Sequence, residues 1–260
     1  MTNLPTEQPS PRPALRVSLF VTCLADLFRP SVAFASIKLL EQAGCEVSIP
    51  LQQTCCGQPA YNTGDYAASA PLARRLIQQF AAADYVVVPS GSCAGMICHH
   101  YPKLLEGEWR ERALQLAAKT FELTTFLHDI ARLKRGERAP IKLPAVTYHD
   151  SCAGLREMGV KGQPRALLGK VAGLSLAEMA ECETCCGFGG TFSVKFGEIS
   201  ARLADNKCQH VANAGADALV LGDLGCMLNI EGRLRRRGDT KTRVLHVAEV
   251  LAGERPGSED

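Results

Sequence analysis

The feature that most constrains this chain is a cysteine pattern that occurs twice. Thr-Cys-Cys-Gly stands at residues 54–57 and again at residues 184–187, with one cysteine upstream and one downstream of each copy. The patterns are C-x31-C-C-G-x35-C and C-x32-C-C-G-x38-C, comprising Cys23, Cys55, Cys56 and Cys93 in the first copy and Cys152, Cys185, Cys186 and Cys226 in the second. This shared register indicates a tandem duplication, so we expect two similar domains.

The domain boundaries follow from composition. We predict the first cysteine-rich domain at residues 14–130 and the second at residues 145–252. Residues 131–144 combine charged side chains with two prolines, which is typical of a solvated linker. Residues 1–13 and 253–260 are rich in proline, polar or acidic residues, and we predict that they are disordered.

Short apolar runs alternate with helical patterns in both domains. The runs predicted to be strands are residues 15–22, 45–50 and 85–89 in the first domain and 145–149, 175–179 and 218–221 in the second. Helical periodicity covers residues 32–42, 66–82 and 194–214, and Gly44 and Gly215 stand where helices would end. This alternation predicts an α/β fold with a small, mostly parallel sheet flanked by helices in each domain.

The cysteines of the duplicated pattern all fall at or just past the end of a predicted strand. In an open α/β sheet, ligands bind in the crevice beyond the carboxyl ends of the strands. We therefore expect the four thiols of each domain to converge there and to form one four-sulfur site per domain.

Composition limits what these thiols do. Twelve cysteines in 260 residues are too few for a small disulfide scaffold and too many for an ordinary cytosolic enzyme. The N-terminus lacks the basic region of a signal peptide, and no apolar run approaches the roughly 20 residues that cross a bilayer. We expect a cytoplasmic protein without a membrane span, whose cysteines serve metal, redox or nucleophilic roles.

The net charge and the absence of nucleotide-binding motifs limit the classes of partner and ligand that we expect. The net charge is only +2, so we do not expect nucleic acid as a partner. The sequence contains no glycine-rich dinucleotide or phosphate-binding motif, so we expect no nucleotide or flavin site. Electrons would then be exchanged with another protein.

Four converging thiolates suit an iron–sulfur cluster or a structural zinc ion. Structural zinc sites favour two short Cys-x2–4-Cys knuckles, whereas here one, two and one cysteine follow three separate strands. The pattern therefore favours a cluster. Glycines after each cysteine pair would let backbone N–H groups approach the sulfurs: Gly57, Gly187, Gly189 and Gly190.

Together with the lead-in His149-Asp150-Ser151-Cys152, this double pattern resembles a cysteine-rich domain found twice in lactate utilization protein A and in the B subunit of heterodisulfide reductase. The resemblance covers residues 15–252, and a two-domain chain without a ferredoxin-type motif is most similar to the lactate utilization protein A family. It implies an iron–sulfur electron-transfer subunit of a cytoplasmic complex that oxidises L-lactate to pyruvate. The implied partners are lactate utilization proteins B and C, and the implied cofactor is one [4Fe-4S] cluster per domain, held by the eight cysteines listed above.

One departure from heterodisulfide reductase matters. That domain closes with C-x-x-C, which supplies a fifth cysteine, whereas Met96 and Asn229 stand at this position here. The departure argues against heterodisulfide chemistry and for centres with four cysteine ligands.

The remaining cysteines and histidines have two interpretations each. Cys45 and Cys208 are expected to be small core residues, whereas Cys98 and Cys182 lie close enough in sequence to replace a ligand. The pair at residues 99–100, His-His, either belongs to a surface helix or binds a metal.

Catalytic residues are less defined. Oxidation of a hydroxy acid needs a base for the hydroxyl proton and a cation for the carboxylate, and His149 and Arg156 are the candidates. The alternative is structural, with His149 hydrogen-bonded near the cluster and Arg156 offsetting its charge; Arg29 has the same two interpretations. The arginine-rich segment 233–237 is either a solvated helix face or a dock for an acidic redox partner.

Three hypotheses follow. The favoured one is the iron–sulfur subunit described above. The second is a zinc-stabilised interaction module, and the third is thiol–disulfide chemistry at the adjacent cysteine pairs. The sequence does not distinguish lactate from another 2-hydroxy acid such as glycolate.

Overall fold

The computed structural model describes residues 14–134 and 145–253. The predicted disorder of residues 1–13 and most of the C-terminal tail lies outside the described residues, as does most of the predicted linker. The part of the chain that is described forms two sheets of four strands, one in each half, and its helices lie around them.

The first half contains four strands and eight helices among its described residues, in the order β1 (Leu15–Leu19), α1 (Cys23–Phe28), α2 (Pro30–Gln42), β2 (Cys45–Ser48), α3 (Gln58–Asn62), α4 (Tyr66–Gln79), β3 (Tyr85–Val88), α5 (Gly91–Gly95), α6 (Tyr101–Leu104), α7 (Gly107–Ala118), β4 (Thr120–Glu122) and α8 (Leu123–Thr125). Two π-helical segments, Met96–His100 and Phe126–Ile130, extend α5 and α8.

The second half repeats the plan in the order β5 (Ala145–His149), α9 (Cys152–Arg156), α10 (Gly162–Leu168), β6 (Ser175–Leu176), α11 (Phe192–Lys195), α12 (Gly197–Asn213), β7 (Ala218–Leu221), α13 (Leu224–Arg236), β8 (Arg243–His246) and α14 (Val247–Ala252). The strand orders are β2-β1-β3-β4 and β6-β5-β7-β8, and every strand pair is parallel. The predicted α/β class and the two similar halves are therefore confirmed.

The predicted elements differ from the observed ones mainly at their ends. Residues 145–149 and 218–221 are strands as predicted, but the run 175–179 forms only the two-residue strand β6. The predicted helix 194–214 is two helices, because Phe196 leaves helical geometry between α11 and α12. Strands β4 and β8 were not predicted. Gly44 and Gly215 both have positive φ just after a helix, as their predicted positions at helix ends require.

An apolar cluster spans the two halves. Leu39 and Leu40 on α2 pack in the same buried cluster as Ala248 and Ala252 on α14. Beside this cluster, the buried carboxylate of Glu249 accepts hydrogen bonds from Arg29 Nε at 3.0 Å and from Ser31 Oγ at 2.7 Å. A buried ion pair therefore joins the halves across their apolar contact.

A second contact between the halves joins two glycines. Helix α5 crosses α9 where Gly91 lies against Gly154, and a Cβ atom built on Gly91 would stand 2.6 Å from Gly154 Cα and 2.9 Å from its nitrogen. These are backbone atoms, which cannot move aside cheaply. The crossing brings together the two helices that carry Cys93 and Cys152.

Replacing Gly91 with Ala tests this crossing. We expect Gly91→Ala to lower the free energy of unfolding by about 1–3 kcal/mol, because the added methyl overpacks the contact. Gly232→Ala is the matched control, since nothing lies within 4 Å of a Cβ there and the site is inside α13; it should raise stability by about 0.5–1 kcal/mol. Denaturant unfolding of both variants under identical conditions measures the two effects, and equal stability of the two would contradict the close crossing.

Candidate metal centres

The first set of cysteines comes together at the carboxyl ends of β1 and β3. Cys23 is the first residue of α1 and Cys93 the third of α5, while Cys55 and Cys56 lie in the loop before α3. The thiols form a continuous chain of contacts from Cys23 to Cys55 to Cys56 to Cys93, with 3.5 Å between the Sγ atoms of Cys56 and Cys93. We refer to these four residues as the first set.

The second set repeats this arrangement. Cys152 is the first residue of α9 and Cys226 the third of α13. The thiol of Cys185 contacts those of Cys152 and Cys186, and Cys186 contacts Cys226. The structure thus brings together all eight cysteines of the duplicated pattern, four in each set, and all twelve cysteines of the chain are free thiols.

Backbone N–H groups point at these sulfurs. Gly57 N donates to Cys55 Sγ at 3.4 Å, and Gly187 N donates to Cys185 Sγ at 3.3 Å. Both glycines have φ above 80°, and a Cβ on Gly187 would stand 2.5 Å from Ser200 O. Glycine is therefore required at these positions for the loop to turn back on its own cysteine.

The thiols within each set strongly affect one another. Hydrogen bonds from neighbouring thiols lower the pKa of Cys55 and of Cys185 to about 2. The same contacts raise the pKa of Cys23 and of Cys152 above the usual thiol value. Each set therefore favours one thiolate at neutral pH, and a bound cation would release the remaining protons because thiolate is the form that ligates metals.

The donor chemistry fits a thiophilic metal centre. Four thiolates are the ligands of zinc and of iron–sulfur clusters. A tetrahedral zinc ion with bonds of about 2.3 Å sets its sulfurs about 3.8 Å apart, close to the 3.5 Å between Cys56 and Cys93. A cluster of several iron ions requires the same thiols to move apart. A zinc ion and an iron–sulfur cluster both accept four thiolate ligands, but they differ in the distances that they require between the sulfurs.

Asp223 connects the two sets. Its Oδ1 accepts the N–H of Gly225 at 3.1 Å at the start of α13, which carries Cys226. Its Oδ2 accepts the N–H of Ser92 at 2.9 Å and the hydroxyl of Ser90 at 3.0 Å, at the start of α5, which carries Cys93. One buried carboxylate thus holds a ligand-bearing helix in each half.

The position of the missing fifth cysteine is filled differently in the two halves. Asn229 Nδ2 donates to the carbonyl of Cys186 at 2.9 Å, so this amide supports the loop of the second set. Met96 is fully buried in the core of the first half, where Tyr101 Oη donates to the carbonyl of Cys56 at 2.8 Å.

The cysteines outside the pattern lie elsewhere. Cys45 and Cys208 are buried in apolar clusters, as expected for core residues. Cys98 Sγ faces the carbonyls of Ala117 and Thr120, and burial raises the pKa of its thiol to about 12. Cys182 lies close to Asp150 and Glu183, and these three side chains form a small group at the edge of the second set.

The two catalytic candidates lie in different environments. His149 is fully buried, with Nδ1 donating to the carbonyl of Cys182 at 3.1 Å and the ring within 4.8 Å of the sulfurs of Cys186 and Cys226. Burial lowers the pKa of His149 to about 4, so the ring is neutral at pH 7. Arg156 is exposed at the end of α9. The burial of His149 favours its structural interpretation.

The other charged candidates contact residues of the chain itself. Arg29 pairs with Glu249, and segment 233–237 is partly neutralised because Arg233 and Arg237 both contact Asp205. His100 pairs with Glu157 and packs on Tyr61. These contacts give Arg29 and His100 structural roles in joining the halves and packing the helices.

Sequence reasoning missed three buried polar residues near the sets. Asp223 stands three residues before Cys226, but its hydrogen bonds to the first half carry no signal in the sequence. Lys207 lies on α12, whose helical pattern gave no reason to expect a buried ammonium group. Glu122 caps α8, and burial raises the pKa of its carboxyl to about 7.

Comparison with known proteins decides the family. The model of a cysteine-rich domain matches residues 17–98 and again residues 146–231. Lactate utilization protein A of Halalkalibacterium halodurans is 49% identical over 239 residues, which are 91% of this chain and 96% of that protein. The protein of that name from Geobacillus thermodenitrificans is 49% identical over 240 residues, which cover 91% of this chain and 98% of that protein.

The chain belongs to the lactate utilization protein A family.

The fold of this chain is also similar to that of a solved structure. A crystal structure of a hypothetical protein from Helicobacter pylori superimposes with a TM-score of 0.63 at 12% identity. The match covers 92% of this chain and 49% of that one, so the chain spans about half the length of the solved structure. At this identity the match shows a shared fold. Among the helices of the described ranges, none combines the length and the hydropathy needed to cross a bilayer.

Replacing Asp223 tests the link between the sets. We expect Asp223→Ala to lower the free energy of unfolding by about 2–4 kcal/mol, because it leaves two helix N–H groups and one hydroxyl without their buried acceptor. Ser151→Ala is the matched control, since Ser151 caps α9 by accepting a single hydrogen bond, from the N–H of Gly154 to its Oγ at 3.2 Å; this change should cost about 0.5–2 kcal/mol. Thermal unfolding at one metal content measures both, and an Asp223→Ala variant as stable as the control would refute the shared cap.

Proposed function

We propose that this chain is an iron–sulfur electron-transfer subunit of a cytoplasmic complex that oxidises L-lactate to pyruvate. The observation that carries the proposal is the duplication of the site: two sets of four thiols, at the carboxyl ends of two parallel sheets, joined by one carboxylate. The relatives named lactate utilization protein A supply the substrate.

The number of sites matches the chemistry of this substrate. Conversion of a 2-hydroxy acid to a 2-oxo acid releases two electrons and two protons. A [4Fe-4S] cluster is a one-electron carrier, so one centre in each half would hold the pair of electrons between them. Cys23, Cys55, Cys56 and Cys93 would hold one centre and Cys152, Cys185, Cys186 and Cys226 the other.

The arrangement of the ligands supports a cluster over a zinc ion. Each set draws single cysteines from the starts of two helices and an adjacent pair from a loop, unlike the two short knuckles of most structural zinc sites. The N–H groups of Gly57 and Gly187 donate to sulfur, and hydrogen bonds of this kind set the potential of iron–sulfur centres.

The crevice between the halves does not suit the substrate. It is small and is lined by the carboxyl groups of Glu122 and Asp150 together with Tyr148 and Ser151. Asp150 is already paired with Arg165 at 2.8 Å. A crevice this small leaves no room for a hydroxy acid, so the oxidation itself would take place on a partner protein, for which lactate utilization proteins B and C are the candidates.

Access to the centres supports exchange of electrons with such partners. Cys152 is exposed, and Cys23, Cys55, Cys93 and Cys185 are partly exposed. Cys56, Cys186 and Cys226 are buried, so each centre would have one protected side and one side open to a docked protein.

Metal analysis of the protein purified without oxygen tests the proposal. We expect about eight iron and about eight sulfide per chain, and Cys55→Ala and Cys185→Ala should each remove about half of both. Cys208→Ala is the control, because Cys208 is buried outside the sets and its replacement should leave the iron content unchanged.

Two other results would overturn it. Stoichiometric zinc without iron would make the chain a zinc-stabilised module, in line with the short distance between Cys56 and Cys93. Activity with a dithiol substrate in iron-free protein would instead point to thiol–disulfide chemistry. To distinguish lactate from glycolate as the substrate, reduction of the loaded centres is measured with each acid in the presence of the partner proteins.

A further inference from the structure

The two sets of cysteines have the same arrangement, but the residues at two equivalent positions beside them differ between the halves. Three residues before the first cysteine of each set stand Phe20 in the first half and His149 in the second. The glycine after each cysteine pair lies against an equivalent serine carbonyl, that of Ser69 or Ser200. Seven residues beyond these serines stand Leu76 in the first half and Lys207 in the second.

The side chains packed at the two equivalent positions of the first set are apolar. Phe20 and Leu76 are fully buried in one cluster with Cys56. Phe80 packs edge-on against Phe20, with 5.9 Å between ring centroids. A charge that developed on a centre in this half would therefore face hydrocarbon.

The second set has a buried cation beside it. Lys207 is only 1% exposed, and its Nζ donates to Thr184 Oγ1 at 2.9 Å and to the carbonyl of Glu181. Thr184 directly precedes Cys185, so these bonds hold the ammonium group beside the cysteine pair. Lys207 also interacts electrostatically with the thiols of Cys186 and Cys226. The carboxylate of Asp223 acts on Cys226 with the opposite sign, but it lies between the sets and its oxygens accept hydrogen bonds from α5 as well as from α13, whereas Lys207 lies beside the second set.

A buried histidine also lies beside the second set. His149 Nδ1 is bonded to the carbonyl of Cys182, so this nitrogen carries the ring proton. Its Nε2 is buried and has no hydrogen-bond partner among the described residues, although the imidazole lies within 4.8 Å of the sulfurs of Cys186 and Cys226. Phe20 offers the first set no such atom.

We infer that the two centres are not equivalent and that the centre of the second half has the higher reduction potential. The inference rests on the proposed iron–sulfur function. One-electron reduction adds a negative charge to a thiolate-held centre, and a fixed cation in a medium of low dielectric constant stabilises that charge. The imidazole of His149 is neutral at pH 7 and adds no charge, so the difference between the centres rests on the ammonium group of Lys207. An electron shared between the centres would thus reside mainly in the second half.

The first measurement assigns the two potentials. The loaded protein is titrated with dithionite while the electron paramagnetic resonance signals of the reduced centres are recorded. We expect two signals with different midpoints. Cys185→Ala should remove the one with the higher potential and Cys55→Ala the one with the lower potential. Equal midpoints, or the opposite assignment, would overturn the inference while leaving the iron–sulfur function intact.

The second measurement tests the cation. Lys207→Met and Leu76→Met place the same neutral side chain at the two equivalent positions. At a fixed applied potential, Lys207→Met should lower the ratio of reduced to oxidised second centre about tenfold, which is about 59 mV for one electron. Leu76→Met should move neither midpoint. An unchanged second midpoint in Lys207→Met would reject the role of the ammonium group.

Further results distinguish failure of this inference from failure of the proposed function. If Lys207→Met does not retain its second centre, the order of the potentials is still decided by the two cysteine variants. If iron and sulfide are absent from the unaltered protein, the proposed function fails, and the inference fails with it. Full iron and sulfide with a single midpoint rejects the inference alone.

Discussion

The carboxylate of Asp223 is the interaction on which the two sites depend together. One of its oxygens accepts an N–H group at the start of α13 in its own half, and the other accepts an N–H group at the start of α5 in the first half. Those helices carry Cys226 and Cys93. Next to this cap, α5 crosses α9 at Gly91 and Gly154, with no room for a side chain at Gly91. The positions of at least three of the eight thiols are thus fixed by contacts between the halves, so the duplicated units work as one body.

The polar and charged groups around the two sets of cysteines differ between the halves. The four thiols of each set gather at one sheet edge, where N–H groups from glycine turns donate to sulfur in both halves. A buried ammonium group lies beside the second set, and the equivalent position in the first half is a leucine. The repeat therefore conserves geometry between its copies while the electrostatics have diverged. In the proposed electron-transfer function, a difference in potential would give the electron a preferred position.

Much of this arrangement could be predicted from the sequence because it is local. The register of the cysteines, the strands that precede them and the glycines that follow them are each visible in a short window. Asp223 was missed because its partners in the first half lie far away along the chain. Strand β6 is shorter than predicted because the chain leaves the sheet after Leu176, which lets Met179 pack beside Cys186. Phe196 interrupts the predicted helix as its ring stacks on Phe192, and β4 is too short for periodicity to reveal.

The central claim is that the duplicated cysteines hold two iron–sulfur centres side by side across the contact between the halves. Anomalous diffraction from anaerobically grown crystals, recorded on both sides of the iron absorption edge and of the zinc absorption edge, tests it most directly. We expect two iron peaks, one among Cys23, Cys55, Cys56 and Cys93 and the other among Cys152, Cys185, Cys186 and Cys226. Peaks that appear only above the zinc edge, or an iron peak in one half alone, would contradict it.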